Sequence, residues 1–509
     1  MKKIKKLFRI WSLGMGCLVI WTCTNLDIEP TDRVFSNLTG EFVGVDPAAS
    51  LEGLYNQVSW QMQTEANLYA LQEISSDEFI LPTRGTDWSD NGVHRVLHSH
   101  TWDANHAYLK FVWNDQNQNI YNATAIIDPR SNPTPLQAAE AKFIRAFSIF
   151  WLVDLFGQVP FRTPDEGPDI HPKVLNRVEA FEFAINDLRG ALPELPEGNT
   201  FDALGRASKP AAQYLLAKFY LNKHIYSGGE MPDTNDMEEV IRLVDAIHSE
   251  GFELQEGYFN LFTVTEDTET IWFTSSDVSS MIWSTLHYNQ NAPDQPGGGW
   301  NGFTTLADFF DSFEGDPDIN IPGSGQEERR GFVPTDGSQL GIGYGFLIGQ
   351  QFDENGEPLT DRSGSPLIFS KELPGLLGND EKAGIRVIKY HPEHGSFVNH
   401  KIIFRYSDAH LMKAEAILRN GGDPTDMVNE LRVLRGAQPL TNVGETELLA
   451  ERGRELYGEY WRRNDLIRFG QFTRPWALKE VSMDITKELF PIPATALITN
   501  PALIQNEGY

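Results

Sequence analysis

The densest apolar pattern in the chain lies between Leu136 and Phe161, LQAAEAKFIRAFSIFWLVDLFGQVPF. Ile144, Phe147, Trp151 and Leu155 fall on one stripe at helical spacing, Phe143 and Phe150 on a second, and Leu152 and Phe156 fill the gap between them. Pro133 and Pro135 precede the run, and Gly157 and Pro160 close it. The pattern predicts a helix of about 21 residues, about 31 Å long. A helix apolar on most sides belongs in a protein interior. Glu140, Lys142, Arg145 and Asp154 within it exclude a membrane span, because charge at those depths is costly in lipid.

Helical periodicity recurs on both sides of this core helix. Asp46 to Ser75, with Leu51, Leu54, Tyr55 and Val58 in register, predicts one long helix, and Phe111 to Ile127, with Trp113, Ile120 and Ile126, predicts another. From Gly205 a stripe of Ala212, Leu215, Leu216 and Phe219 runs to a break at Ser227-Gly228-Gly229, and Met237, Val240, Ile241, Val244 and Ile247 continue to Gly251. Two antiparallel helices in about 45 residues make a tetratricopeptide-like hairpin. The pattern returns at Ser407 to Leu418, breaks at Gly421-Gly422, and resumes after Pro424 with Met427, Leu431 and Leu434 inward. Between Glu451 and Gly470 the Glu and Arg residues stand three and four apart, which reads as pairing on a helix surface. The predicted fold class is mostly α: helical hairpins over about 40–250 and 401–480, packed against an irregular, loop-rich segment at about 251–400.

Candidate chemistry lies in the irregular stretches. Asp77 to Asn91 holds Pro82 and Gly85 and cannot be a regular element. The face of Trp88 can lie against the C–H face of a pyranose while Arg84, Asp87 and Asn91 hydrogen-bond its hydroxyls; equally, Trp88 can plug the loop onto the body. Long irregular segments such as 251–400 are usually functional. There Trp300, left with little local cover by Gly297, Gly298 and Gly299, is the first candidate for a ligand face and Tyr288 the second. Trp272 and Trp283 sit in strand-like runs and are predicted to be core.

Composition narrows the function. The chain has 509 residues, 40% hydrophobic, and a net charge of −29, which disfavours a nucleic-acid partner. Five cations in residues 1–9 and an apolar run from Ile10 to Trp21 have the length of a signal peptide, predicted to span 1–22. Its removal takes the charge to −34. Of the two cysteines, Cys17 falls inside the leader and Cys23 at its end, as the candidate lipidation site or as an unmodified residue of an ordinary secreted chain. Mature residues 23–509 are expected to form a single domain.

Several stretches share one resemblance. Arg145 to Gly157 followed by Val159-Pro160 resembles the signature helix of the SusD/RagB family of outer-membrane nutrient-binding lipoproteins. Cys23-Thr-Asn-Leu-Asp-Ile-Glu-Pro30 resembles the family's mature start, the Trp88 loop its acidic loop after the first long helix, and Glu451 to Gly470 its penultimate signature. Leu489 to Pro493, Asn500-Pro501 and Gln505 to Tyr509 resemble its tail. The resemblance implies a lipid-anchored protein of the outer membrane, facing outward. It implies capture of oligosaccharide and delivery to a TonB-dependent, SusC-like β-barrel, over which the protein sits as a lid. The ligand face would then be built largely from loops of 251–400.

Other motifs compete. Gly297-x-Gly299-x-x-Gly302 is a literal dinucleotide fingerprint, with a helix expected after it at Thr304 to Phe313, but no strand precedes it. Asp316, Asp318, Asn320 and Glu327 copy most of a calcium loop, with Ile321 where the turn needs glycine. They are the calcium candidates, and no cofactor is expected to be needed. His94, His98 and His100, and His391 with His394, lack the HExxH pattern of a zinc hydrolase. No nucleophile motif is present, so the expectation is a binding protein rather than an enzyme. A peptide-binding helical repeat and a helix-rich glycoside hydrolase are the alternatives. The acidity favours a neutral glycan.

Overall fold

The computed structural model describes residues 41–167, 169–198, 204–316 and 320–509. The leader, Cys23 and Asp318 lie outside them. The described residues fall within one unit, Val34–Tyr509.

Fifteen α-helices occur among the described residues. They begin with α1 (Pro47–Gln63), α2 (Asn67–Glu73), α3 (Val93–His98), α4 (Ala107–Ile127) and α5 (Pro135–Leu155). The last of these is the central helix. Thr134 caps it, accepting from the Gln137 backbone N–H while Gln137 returns a bond to the Thr134 N–H, and Gly157, at φ 70°, ends it. It packs between α4 and α6 (Arg177–Ala191), and every residue from Ala139 to Leu155 is buried except Lys142. Trp151 stacks on Trp461 with ring centroids 5.4 Å apart.

The hairpin α7 (Lys209–Ser227) and α8 (Thr234–Ser249) forms as expected, with Gly228 in the left-handed conformation that closes α7. After α9 (Ser279–Trp283) and α10 (Ala307–Asp311), the second hairpin consists of α11 (Tyr406–Arg419) and α12 (Thr425–Leu434), and α8 packs on α11. Then follow α13 (Glu445–Leu456), α14 (Arg462–Arg468) and α15 (Ala494–Thr499).

Short strands gather the irregular segment. β1 (Phe79–Ile80) precedes the hairpin of β2 (Gln158–Phe161) and β3 (Lys173–Asn176). β4 (Thr270–Thr274) pairs with β11 (Lys401–Arg405), clamping the two ends of the segment together, and β5 (Thr304–Thr305) pairs with β1. Between them β6 (Gly331–Phe332) and β10 (Arg386–Ile388) flank β7 (Tyr344–Leu347), and β8 (Gly349–Gln350) pairs with β9 (Ile368–Phe369). This segment has a small core of its own, in which Ile282, Trp283, Leu286, Leu347, Leu367 and Phe369 are buried.

Four expectations are corrected. The helix expected over Asp46–Ser75 is two helices, because Thr64 turns to extended backbone, its hydroxyl accepts from the Ala66 N–H, and Asn67 takes φ 52°. Trp283 is buried as expected but on a helix, not a strand. The helix expected at Thr304–Phe313 gives its first two residues to β5. The Glu and Arg residues from Glu451 onward are not on the surface: Glu451, Arg452, Arg454 and Glu455 are all buried. Glu455 accepts from Arg329, Arg405 and Arg435 at 3.1, 2.6 and 2.9 Å. Glu269 pairs with Arg405 and Arg435, and Arg452 bridges Asp408 and Asp465. Buried charges persist only when paired and hydrogen-bonded, and this ladder supplies a partner at each step.

Candidate functional site

The loop after β1 is fixed before it carries any chemistry. Arg84 and Asp87 exchange backbone bonds of 3.0 and 2.9 Å across a tight turn, and the Gly85 N–H reaches the Asn379 carbonyl at 3.1 Å. Beyond the turn Trp88 sits at φ 59°, a strained conformation for a bulky residue. Its indole N–H donates to the Trp300 carbonyl at 2.7 Å, and its ring lies so close to Gly302 that a Cβ there would come within 2.6 Å. Trp88 is therefore half-buried, and one edge plugs the loop onto the body.

The glycine-rich run serves this contact and not a dinucleotide. Residues 299–302 lie along 283–287 in a zipper of backbone bonds: Gly299 to His287, Trp300 to Trp283, Asn301 to Leu286 and Gly302 to Ser284, at 2.6 to 2.9 Å. A Cβ at Gly298, where φ is 74°, would stand 1.9 Å from the Tyr288 carbonyl oxygen. Only glycine permits that approach. The result is a Trp300 held rigidly by its backbone with a side chain 40% exposed.

Four charged or polar groups join the tryptophans. Tyr288 donates its hydroxyl to Asp87 at 2.6 Å, and Arg362 donates to the same carboxylate oxygen at 3.1 Å. The Arg362 guanidinium also lies 3.8 Å from the centre of the Tyr288 ring and donates through Nε to Glu381 at 2.6 Å. The Tyr288 hydroxyl bond and Arg362 hold the Asp87 carboxyl below its ordinary range. Burial, with Asp87 beside it, pushes Tyr288 up to about 12. Asp87 is thus an ionised acceptor and Tyr288 a neutral donor at every physiological pH.

The structure brings Asp87, Trp88, Tyr288 and Trp300 together and leaves out two candidates. Arg84 is buried beneath the loop, donating to the carbonyls of Asp380 and Ala383 at 3.1 and 2.6 Å; burial draws its guanidinium down to about 10, and it braces the site from below. Asn91 is exposed at φ 51° in the turn that leads into α3, and among the described residues no hydrogen bond joins it to the cluster. Arg362 and Glu381 were missed. Their signal was Asp361-Arg362-Ser363-Gly364-Ser365, a polar turn whose Asp361 carboxylate accepts from the N–H groups of Ser363 and Ser365, leaving Arg362 to project.

The metal candidates among the described residues bond to protein groups. Asn320 donates to the carbonyls of Arg330 and Phe346 and accepts from the Arg330 side chain, while Glu327 is buried against Arg329. Asp316 accepts the Arg330 guanidinium at its backbone carbonyl, 2.7 Å away. The histidines are dispersed: His98 bonds the Ala477 carbonyl and His100 the Ser75 carbonyl, both at 2.9 Å, and His94 bonds the Tyr108 hydroxyl at 3.0 Å. His394 bonds the Tyr344 hydroxyl at 2.9 Å. Among the described residues no three His, Cys, Asp or Glu side chains are grouped to hold a metal ion.

Comparison with known proteins shows what the chain is similar to. The family profile described as "SusD family" matches residues 393–509. The starch-binding protein SusD of Bacteroides thetaiotaomicron is 26% identical over 100% of this chain and 99% of its own length. The chain is similar to SusD along its whole length and carries the SusD profile at its C-terminal end. Its fold is that of SusD-like proteins. A SusD-like protein from Bacteroides fragilis superposes with a TM-score of 0.69 at 20% identity, covering 94% of this chain and 98% of the other. Surface glycan-binding protein A from Bacteroides uniformis gives 0.68 at 18%, covering 90% and 98%. These relatives are binding proteins by name, and the expectation of a binding protein rather than an enzyme stands with them. Asp87, the carboxyl beside Trp88, is held down, where a glycosidase acid needs to be raised.

Proposed function

We propose that this protein captures oligosaccharide at the Trp88–Trp300 face and passes it to a TonB-dependent, SusC-like transporter. The observation that supports this reading is the convergence of an exposed indole with an ionised acceptor, a phenol and a guanidinium on loops fixed by backbone hydrogen bonds. The Trp300 face stacks on a pyranose ring, while Asp87 accepts from its hydroxyls and Arg362 donates to them. Such contacts hold a sugar reversibly and leave its bonds intact. The peptide-binding alternative requires the loop tryptophans to be buried, and Trp300 is not. Asp87 and Glu381 at the face match a neutral sugar better than an acidic one.

Cys23, lipidated, would anchor the chain in the outer membrane with its body outside. Among the described residues no helix is long and apolar enough to cross a membrane. The test is isothermal titration of the protein from Thr24 onward against neutral oligosaccharides, with the sugar recovered and sized afterwards. Binding with intact sugar supports capture; shortened sugar overturns it. Delivery is tested by co-purification of the lipidated chain with a SusC-like barrel, and recovery of the chain alone counts against the partner.

A further inference from the structure

A second cleft lies between α4, the β2–β3 hairpin and α15, with a volume of about 650 Å³. That is the size of an ordinary ligand pocket. It shares no residue with the Trp88–Trp300 face. Helix α4 lines it with Asn114, Asn117, Gln118 and Tyr121; Arg162 stands just after β2, and His171 just before β3. The floor is tied down by Asn500, whose amide donates to the Pro172 carbonyl at 3.0 Å.

The charge of this lining is unusual for the molecule. The chain carries 71 acidic residues and a net charge of −29, yet the residues that line the cleft include a guanidinium and an imidazole and no carboxylate. Arg162 donates to the Ile170 carbonyl at 2.5 Å and makes no ion pair among the described residues; its Nε has no hydrogen-bond partner there. Asn117 donates to the Trp113 carbonyl at 2.8 Å, and its Oδ1 is unpartnered. Gln118 donates to Asn122. The wall therefore offers an arginine not neutralised by an acid, several amides and one aromatic ring.

We propose that this cleft is a second saccharide site, and that it takes a sugar bearing a carboxylate, as in a uronic-acid oligosaccharide. The Arg162 guanidinium pairs with the carboxylate as a planar fork, which suits it better than a point charge. Asn114, Asn117 and Gln118 exchange hydrogen bonds with the hydroxyls, and Tyr121 supplies a ring face. The two sites then sort their ligands by charge. The loop face, with Asp87 and Glu381, disfavours an acidic sugar, and the α4 cleft attracts one.

The test is titration of the soluble protein with trigalacturonate, trimannuronate and maltotriose at low and moderate salt, using the parent, Arg162→Gln, Tyr121→Ala and Trp300→Ala proteins, each checked for folding by thermal melt. One of the two uronates is expected to bind the parent and to weaken as salt rises. Arg162→Gln weakens it tenfold or more, Tyr121→Ala severalfold, and Trp300→Ala leaves it unchanged. Failure of both uronates to bind overturns the proposal, as does uronate binding that survives Arg162→Gln or vanishes in Trp300→Ala. Inorganic phosphate that competes with the uronate at equal strength overturns the sugar assignment and marks a plain anion site. Because Trp300→Ala probes the loop face independently, loss of one site's reading leaves the other standing.

Discussion

Replacing Trp300 with alanine should weaken oligosaccharide binding without loosening the fold. A tryptophan side chain presents up to about 250 Å², and 40% of Trp300 is exposed, which leaves about 100 Å² for a ligand to cover. At about 25 cal/mol per Å² full coverage is worth about 2.5 kcal/mol, and coverage of one ring face about half that. The expected loss is therefore between about 8-fold and about 70-fold in Kd. Trp88→Ala provides the contrast. Its indole fills the space over Gly302 and donates to the Trp300 carbonyl, so its removal opens a void and frees the neighbouring backbone. It should lower the melting temperature as well as the affinity, by about 1.5 to 3 kcal/mol of stability for a half-buried ring. Titration calorimetry and thermal unfolding on the same samples separate the two effects. A Trp300→Ala protein that binds within twofold of the parent, or one that melts several degrees lower, refutes the assignment of Trp300 as an exposed platform.

Three further outcomes follow from the same geometry. Arg362→Ala removes the donor that faces the sugar and the cation stacked on Tyr288, and should weaken binding by about 1.5 to 3 kcal/mol by titration; its half-exposed ion pairs contribute little to folding, so the melting temperature should move by about a degree at most. Affinity should be flat between pH 5 and 9, since Asp87 is held below its ordinary value, Tyr288 is raised to about 12 and the buried His287 is drawn down to about 4; a titration midpoint inside that window would contradict the site. Stability measured by urea unfolding should fall steeply below pH 4.5. Glu451 is held down to about 2, its burial outweighed by Arg329, Arg454 and Arg432, so its contribution of about 3 kcal/mol is complete above the unfolded value near 4.3 and is lost as pH drops through the folded one. An Glu451→Gln protein should already lack that part of the slope.

The helical scaffold was legible because its signal is periodic. The central helix begins at the residue after its capping threonine and ends before its glycine, and the hairpin α7–α8 follows its stripes and its Gly-Gly break. The site was half legible for a related reason: aromatic residues among glycines announce themselves, and Trp88, Tyr288 and Trp300 are indeed together. What the sequence did not carry was pairing across distance. Arg84 and Arg362 are alike as letters, but one is buried under the loop it belongs to and the other projects from a turn 278 positions later. The acidic and basic residues of α13 and α14 failed in the same way. Spacing of three and four is as true of a surface helix as of one sunk among arginines from elsewhere, and only the partners, Arg329, Arg405 and Arg435, distinguish the two.

That ladder also sets an order of assembly. Asp77 is matched by Arg462 and Arg474, Asp154 by Arg463, and Glu269 by Arg405 and Arg435. In each pair the acid comes from the first 270 residues and the arginine from the last 105. In a chain made amino end first those interior anions appear before their counterions. Until the last stretch arrives they resist burial, because an unpaired charge is costly away from water. The final hundred residues act as a latch on the scaffold.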